Sequence, residues 1–112
     1  MSDIKYQEVK KVLLSIESEM QRVGLWSAEA PSPEAFLSDQ PFSYDTMTLI
    51  EWVQFVFLKK MKELIENDMP LPSRCGISPM AEEYFKGLSV DSSRLLALFG
   101  EVDVILGGLA EN

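Results

Sequence analysis

Apolar residues recur at every third or fourth position along most of the chain. That spacing lays them on one face of a helix and does not fit the two-residue alternation of a half-buried strand. In the first segment they are Tyr6, Val9, Leu13, Ile16, Met20 and Val23, with Lys5, Glu8, Lys11, Glu19 and Arg22 falling mostly on the other side. Ser2 or Asp3 can accept hydrogen bonds from the first free amides, and Gly24 can take the left-handed conformation that ends a helix. The spacing therefore predicts an amphipathic helix over residues 3–23. A second run goes from Thr46 to about Asn67. There Leu49, Ile50, Trp52, Val53, Val56, Phe57, Met61, Leu64 and Ile65 cover a wide arc that Phe55 and Leu58 fill further. A helix apolar on most sides is expected at the centre of a bundle, with Trp52 as its main anchor. Ser78-Pro79 opens a shorter helix ending near Lys86-Gly87, with Met80, Tyr84 and Phe85 as its expected buried stripe. Asp91 can cap a fourth, carried by Leu95, Leu98, Phe99, Val102, Ile105 and Leu106 and stopped at Gly107-Gly108. No hairpin signal or internal repeat interrupts the pattern. The predicted fold is all-α: a single domain over 1–112, a four-helix up-down bundle with one long crossover between the first and second helices.

That crossover, residues 24–45, has its own character. Pro31, Pro33 and Pro41 exclude a long helix, although Ser32-Pro33-Glu34 suits the start of one short turn. From Glu29 to Glu51 there are five acids and no base. Leu25, Trp26, Phe36, Leu37, Phe42 and Tyr44 are too apolar a set for a flexible tether. The segment is expected to fold back and cover the end of the bundle with its rings.

Composition narrows the chemistry. The 112 residues carry 18 acids and 10 bases, a net charge of −8, and no histidine. The charge repels phosphate backbones and anionic lipid, so no direct nucleic-acid binding and no membrane association is expected. Lack of histidine removes the commonest general base and the commonest metal ligand together. The one cysteine, Cys75, cannot form a disulfide within the chain, and the N-terminus has no apolar stretch behind a basic start. Both fit a cytoplasmic protein, and the longest strongly apolar stretch, Val53 to Leu58, is too short to span a bilayer. Adjacent carboxylates such as Glu82-Glu83 diverge by roughly 100° on a helix, and no phosphate-binding glycine loop or calcium loop is present. Asp103, between Val102 and Val104, is the acid worth following. No catalytic residue, cofactor or metal ligand is assigned.

Two surfaces remain as candidates. An apolar groove for a partner or ligand between crossover and second helix would draw on Trp26, Phe42, Tyr44, Asp45, Trp52 and Phe55. A docking patch would use Lys59, Lys60 and Lys62, which otherwise complement the dipole at a helix C-terminus. The leading expectation is a non-enzymatic interaction module with a protein partner; the alternative is a bundle that binds a small or lipid-like ligand in an aromatic pocket. Methionines and aromatics would also suit a homo-oligomer interface.

Several ordered motifs carry a family resemblance: Gln40-Pro41-Phe42, Asp45-Thr46-Met47, Glu51-Trp52-Val53-Gln54, Met61, Leu71-Pro72 and the Ile77-Ser78-Pro79 helix start. Together they resemble the YqcC-like family of small bacterial proteins, over nearly the whole chain and most strongly from Gln40 through Tyr84. The resemblance implies a four-helix all-α bundle. It also implies an accessory link to a tRNA pseudouridine synthase, whose gene often neighbours that of the family; the net charge of −8 argues that such a link goes through protein rather than RNA. Where the family pattern has Pro-Arg before the methionine this chain has Lys59-Lys60, so a role needing a bidentate guanidinium does not carry over. Physically, Asp45 or Thr46 reads as the cap of the long helix.

Overall fold

The computed structural model describes residues 3–43, 45–72 and 76–107. It is an all-α bundle: among the described residues there are four helices and no strand. Helix α1 is Asp3–Arg22; α2 covers 49–66; α3 is Ile77–Phe85; α4 is Ser93–Gly107. Two short 3₁₀ turns, Pro33–Leu37 and Pro41–Ser43, lie in the crossover between α1 and α2.

The expected stripe of α1 is the one that is buried. Val9, Leu13, Ile16 and Met20 are at most 1% exposed, and Val12 widens the stripe. At the far end Gly24 has φ +80°, and the Leu25 amide donates to the Met20 carbonyl at 2.8 Å, closing the last turn from outside. Near the start the Tyr6 hydroxyl donates to the Met69 carbonyl, tying α1 to the exit of α2.

Helix α2 starts later than its sequence suggests. Thr48, not Asp45 or Thr46, is the N-cap: its hydroxyl accepts the Glu51 amide at 3.1 Å while the Glu51 carboxylate accepts the Thr48 amide at 2.8 Å. This reciprocal pair satisfies two otherwise orphaned donors. Asp45 and Thr46 serve the crossover instead, accepting from Ser38 and donating to the Ala35 carbonyl respectively. Thr48→Ala is accordingly expected to cost about 1 kcal/mol in chemical denaturation, and Asp45→Ala to leave α2 intact.

Midway along α2, Val53–Phe57 form a π turn, in which the Leu58 amide reaches back to the Val53 carbonyl. The wider turn shifts the inward face by part of a residue. Apolar side chains from both sides of the shift therefore turn inward, among them Ile50, Val53, Phe57, Leu58 and Met61. This explains the unusually wide apolar arc in the sequence. It does not make α2 the central helix. Trp52, Phe55, Val56, Leu64 and Ile65 are half-buried, and lysines and glutamates between 59 and 66 keep one face wet.

The central element is α4, which packs against both α1 and α3. Leu95, Leu98, Phe99, Val102 and Leu106 are at most 2% exposed. Helix α3 begins at Ile77, two residues before the Pro79 at which a Ser78 cap would start it, and the face it turns inward is the i, i+4, i+8 stripe Ile77, Ala81 and Phe85. Met80 is exposed and Tyr84 half-buried with its ring edge against Phe85, so the expected stripe of Met80, Tyr84 and Phe85 holds only at the last position. Pro79 occupies the third helical position, where its missing amide would have been unpaired anyway.

Candidate functional site

The crossover is laid as a strap over the first half of α2, and its attachment can be followed residue by residue. After Gly24 the chain turns inward, so that Leu25 and Trp26 pack half-buried against the core. Gln54, in the π turn, is only 8% exposed and meets the next residue of the strap. Its Oε1 accepts the Ser27 amide and its Nε2 donates to the Ser27 carbonyl, both at 2.9 Å. A buried amide thus satisfies a loop residue that has no ladder partner. Gln54→Leu keeps the bulk but strands both Ser27 groups, so a loss of about 1–3 kcal/mol is expected in urea unfolding.

Farther along, the Pro33–Leu37 turn is anchored by buried Ala35, whose carbonyl accepts the Thr46 hydroxyl at 2.7 Å. The Ser38 hydroxyl donates to Asp45 at 2.6 Å. Phe42 and Ser43 take φ of 57° and 50°, a left-handed conformation that side chains resist. In return the Phe42 ring lands edge-on against Trp52, centroids 4.8 Å apart at 72°. Trp52 in turn stacks on Phe57 at 5.7 Å. Three of the motifs that resemble the YqcC-like family, Gln40-Pro41-Phe42, Asp45-Thr46-Met47 and Glu51-Trp52-Val53-Gln54, therefore serve the strap and its attachment to α2.

Of the residues proposed for an aromatic groove, Phe42 and Trp52 meet each other directly. Trp26 is packed on the core, Phe55 is half-buried, Asp45 is exposed, and Tyr44 lies outside the described residues. The hollow nearest the strap, about 400 Å³, is bounded by Phe42, Met47, Leu49, Met80, Glu83 and Tyr84. Trp26 and Trp52 do not border it. A larger, open hollow of about 710 Å³ lies between α1 and α4, bounded among others by Glu8, Lys11, Val12, Arg94, Leu98 and Glu101. Sequence reasoning missed this second hollow because it depends on which two helices are neighbours.

The lysine triplet does not sit at a helix end. Helix α2 continues to Glu66, so Lys59 and Lys60 are well short of the final turn and the dipole explanation does not apply. Both are exposed, while Lys62 pairs with Glu17 on α1 at 3.1 Å. One of the three charges is thus already partnered, and two are open to solvent.

The carboxylates with defined partners are engaged structurally. Asp103 of α4 accepts the Ile77 and Ser78 amides at 3.2 and 2.8 Å, capping α3 from a neighbouring helix. Glu19 receives the Arg22 side chain, with Nε to Oε1 at 2.9 Å, and that hydrogen bond holds its carboxyl below the ordinary value of 4.5. The group favours folding while ionised. Its contribution is complete above about pH 4.5 and is lost as pH falls through the lower folded value. Glu19→Gln is expected to flatten that part of the acid limb in a pH series of thermal melts. Among the described residues no group of three His, Cys, Asp or Glu side chains could hold a metal ion, and no helix is long and apolar enough to cross a membrane. Cys75 lies outside the described residues.

The family model DUF446, described as tRNA pseudouridine synthase C, matches residues 8–105. The protein YqcC of Escherichia coli (strain K12) is 30% identical over 98 residues, covering 88% of this chain and 87% of that one. The chain belongs to the YqcC-like family. The solution NMR structure of E. coli YqcC superposes with a TM-score of 0.79 at 27% identity, over 93% of this chain and 89% of that one. An uncharacterized protein of Haemophilus influenzae is 43% identical over 79 residues, 70% of this chain and 74% of that protein. A third relative differs in size. A tRNA pseudouridine synthase C of Pectobacterium carotovorum is 40% identical over 65 residues, which are 58% of this chain but only 17% of that protein. In this YqcC-like chain the fold expected from helical periodicity and the fold of the solved relative agree.

Proposed function

We propose that this YqcC-like chain is a non-enzymatic, cytoplasmic accessory module that works beside a tRNA pseudouridine synthase by protein contact. The observation that carries the reading is the 65-residue match inside a protein called tRNA pseudouridine synthase C. A segment of this kind occurs within a larger chain of that name, so the two have cause to act at the same place. The net charge of −8 supports contact with protein rather than with RNA. The partnered carboxylates Asp103, Glu51 and Asp45 are committed to caps and turns, which supports a role without chemistry of its own. The test is a titration of the purified chain with the tRNA pseudouridine synthase C of the same organism, alongside pseudouridine formation in tRNA. A complex with Kd near or below about 10 μM, together with a changed rate or yield, is expected. No heat or mobility change up to about 100 μM would overturn the reading; at that limit binding is weaker than about −5.5 kcal/mol.

A second reading has one observation behind it. The hollow of about 400 Å³ beside Phe42 and Tyr84 is within the size range of small-ligand sites, with Glu83 at its edge. A ligand there would be a compact apolar molecule, since Glu83 is already paired with Lys86 at 2.9 Å. In a thermal-shift screen such a compound at about 100 times its Kd would add about 2.7 kcal/mol; the accessory reading expects no such stabilisation.

A further inference from the structure

The strap is pinned on its inner side and unusually apolar on its outer side. Ala35 is buried and its carbonyl is held by Thr46, yet the next two residues, Phe36 and Leu37, are 40% and 80% exposed. Other large apolar side chains are exposed singly, among them Leu14, Met69 and Leu88, whereas Phe36 and Leu37 are consecutive on a fixed turn, and contiguous exposed apolar surface marks interaction sites. Their surroundings have one sign of charge. No lysine or arginine occurs anywhere from residue 23 to residue 58. Glu34 and Asp39 flank the pair in sequence, and the Ser38–Asp45 hydrogen bond brings a third carboxylate to the turn. All three acids are exposed, and among the described residues none of them has a salt-bridge partner. The strap thus presents an apolar tip in a negative rim, on a backbone already ordered before any partner arrives.

We infer that the Phe36–Leu37 tip of the strap is a docking surface for a lysine- and arginine-rich protein surface with an apolar recess. This rests on the accessory reading above and specifies it. An enzyme that handles tRNA must carry such basic surface to neutralise phosphates, and the strap offers the opposite charge around an apolar anchor. A second copy of this chain is the weaker occupant. One of its three clustered lysines is already engaged by Glu17, and each added copy brings a further −8.

The experiment is a binding titration of the synthase with the wild-type chain and four variants, at low and moderate salt, with sedimentation of each form alone. Phe36→Ala and Leu37→Ala are each expected to weaken binding at least about fivefold, the effect of an interface anchor. Glu34→Lys combined with Asp39→Lys is expected to weaken it at least about tenfold at low salt and to flatten the salt dependence. Glu101→Lys, a single charge reversal at an exposed position of α4 away from the strap, is expected to leave affinity within about twofold. These exposed positions carry little of the core, so unchanged melting temperatures are expected throughout. If the wild-type chain binds and the strap variants bind as well as it does, the docking inference is wrong and the accessory function stands. Absence of wild-type binding overturns both. Self-association that the strap variants abolish, with synthase affinity untouched, identifies a second copy as the occupant and also overturns the inference.

Discussion

Phe99→Ala is expected to remove about 3–5 kcal/mol of folding free energy, the range for truncating a large, fully buried aromatic. Phe99 has no exposed surface and lies in α4, the helix packed against both α1 and α3. The void would therefore open where helices meet on two sides, and a close-packed interior collapses into such a void only partially. For a chain of this size the total stability is of order 5–15 kcal/mol, so this one change takes a large part of it. In urea the midpoint should fall by about 2 M with an unchanged slope, and the melting temperature by roughly 15–30 °C. Phe99→Leu, which refills most of the space, should recover the greater part of the loss. Trp52→Ala should cost clearly less than Phe99→Ala, since Trp52 is half-buried and held mainly by Phe42 and Phe57. The reverse order in paired unfolding curves would place the centre of the bundle at α2 and contradict the packing described above.

The ranking of Phe99 over Trp52 marks the boundary of what could be read from residue order alone. Helical spacing is a local property, and Val9, Leu13, Ile16 and Met20 or Leu95, Leu98 and Phe99 are buried because each repeats the helical period. Which helix is central is a property of the assembly. Helix α2 has the widest apolar arc, but the π turn at Val53–Phe57 and the demands of the strap account for that arc. No spacing rule distinguishes an arc that faces several helices from one that changes direction midway. Caps show the same division. The Thr48-to-Glu51 pair is a local signature three residues apart, visible in the sequence but overshadowed by the nearer-looking Asp45-Thr46. Gln54, by contrast, reads as an interruption of an apolar run, and its partnership with Ser27 spans 27 residues. As for the candidate surfaces, the aromatic content of the strap was legible. That Phe42 would turn inward to Trp52 while Leu37 would turn out to water was not, because it depends on left-handed backbone at Phe42 and Ser43.

Asp103→Ala is the other large effect, about 2–3 kcal/mol, and its cause is a cap supplied across the bundle. Helix α3 has nine residues, too few to be stable alone. Its own N-cap, Gly76, sits at φ +69° and has no side chain to offer. The Ile77 and Ser78 amides point instead at the two oxygens of Asp103, at 3.2 and 2.8 Å. A carboxylate there meets two free donors and the positive end of the helix dipole together. Removing it strands both amides at a half-buried site and cuts the polar tie between α3 and α4. The loss should therefore exceed the roughly 1 kcal/mol of an ordinary local cap. Asp103→Asn keeps one acceptor but turns an amide donor toward the second N–H, so it should fall between alanine and wild type. Hydrogen exchange separates this from a general loosening of the core. In Asp103→Ala the amides of α3 should lose protection first, while those around Leu13 and Ile16 in α1 change only with global stability. Uniform loss of protection across α1, α3 and α4 would mean that α3 is held by Ile77, Ala81 and Phe85 alone, with Asp103 contributing no more than a surface charge.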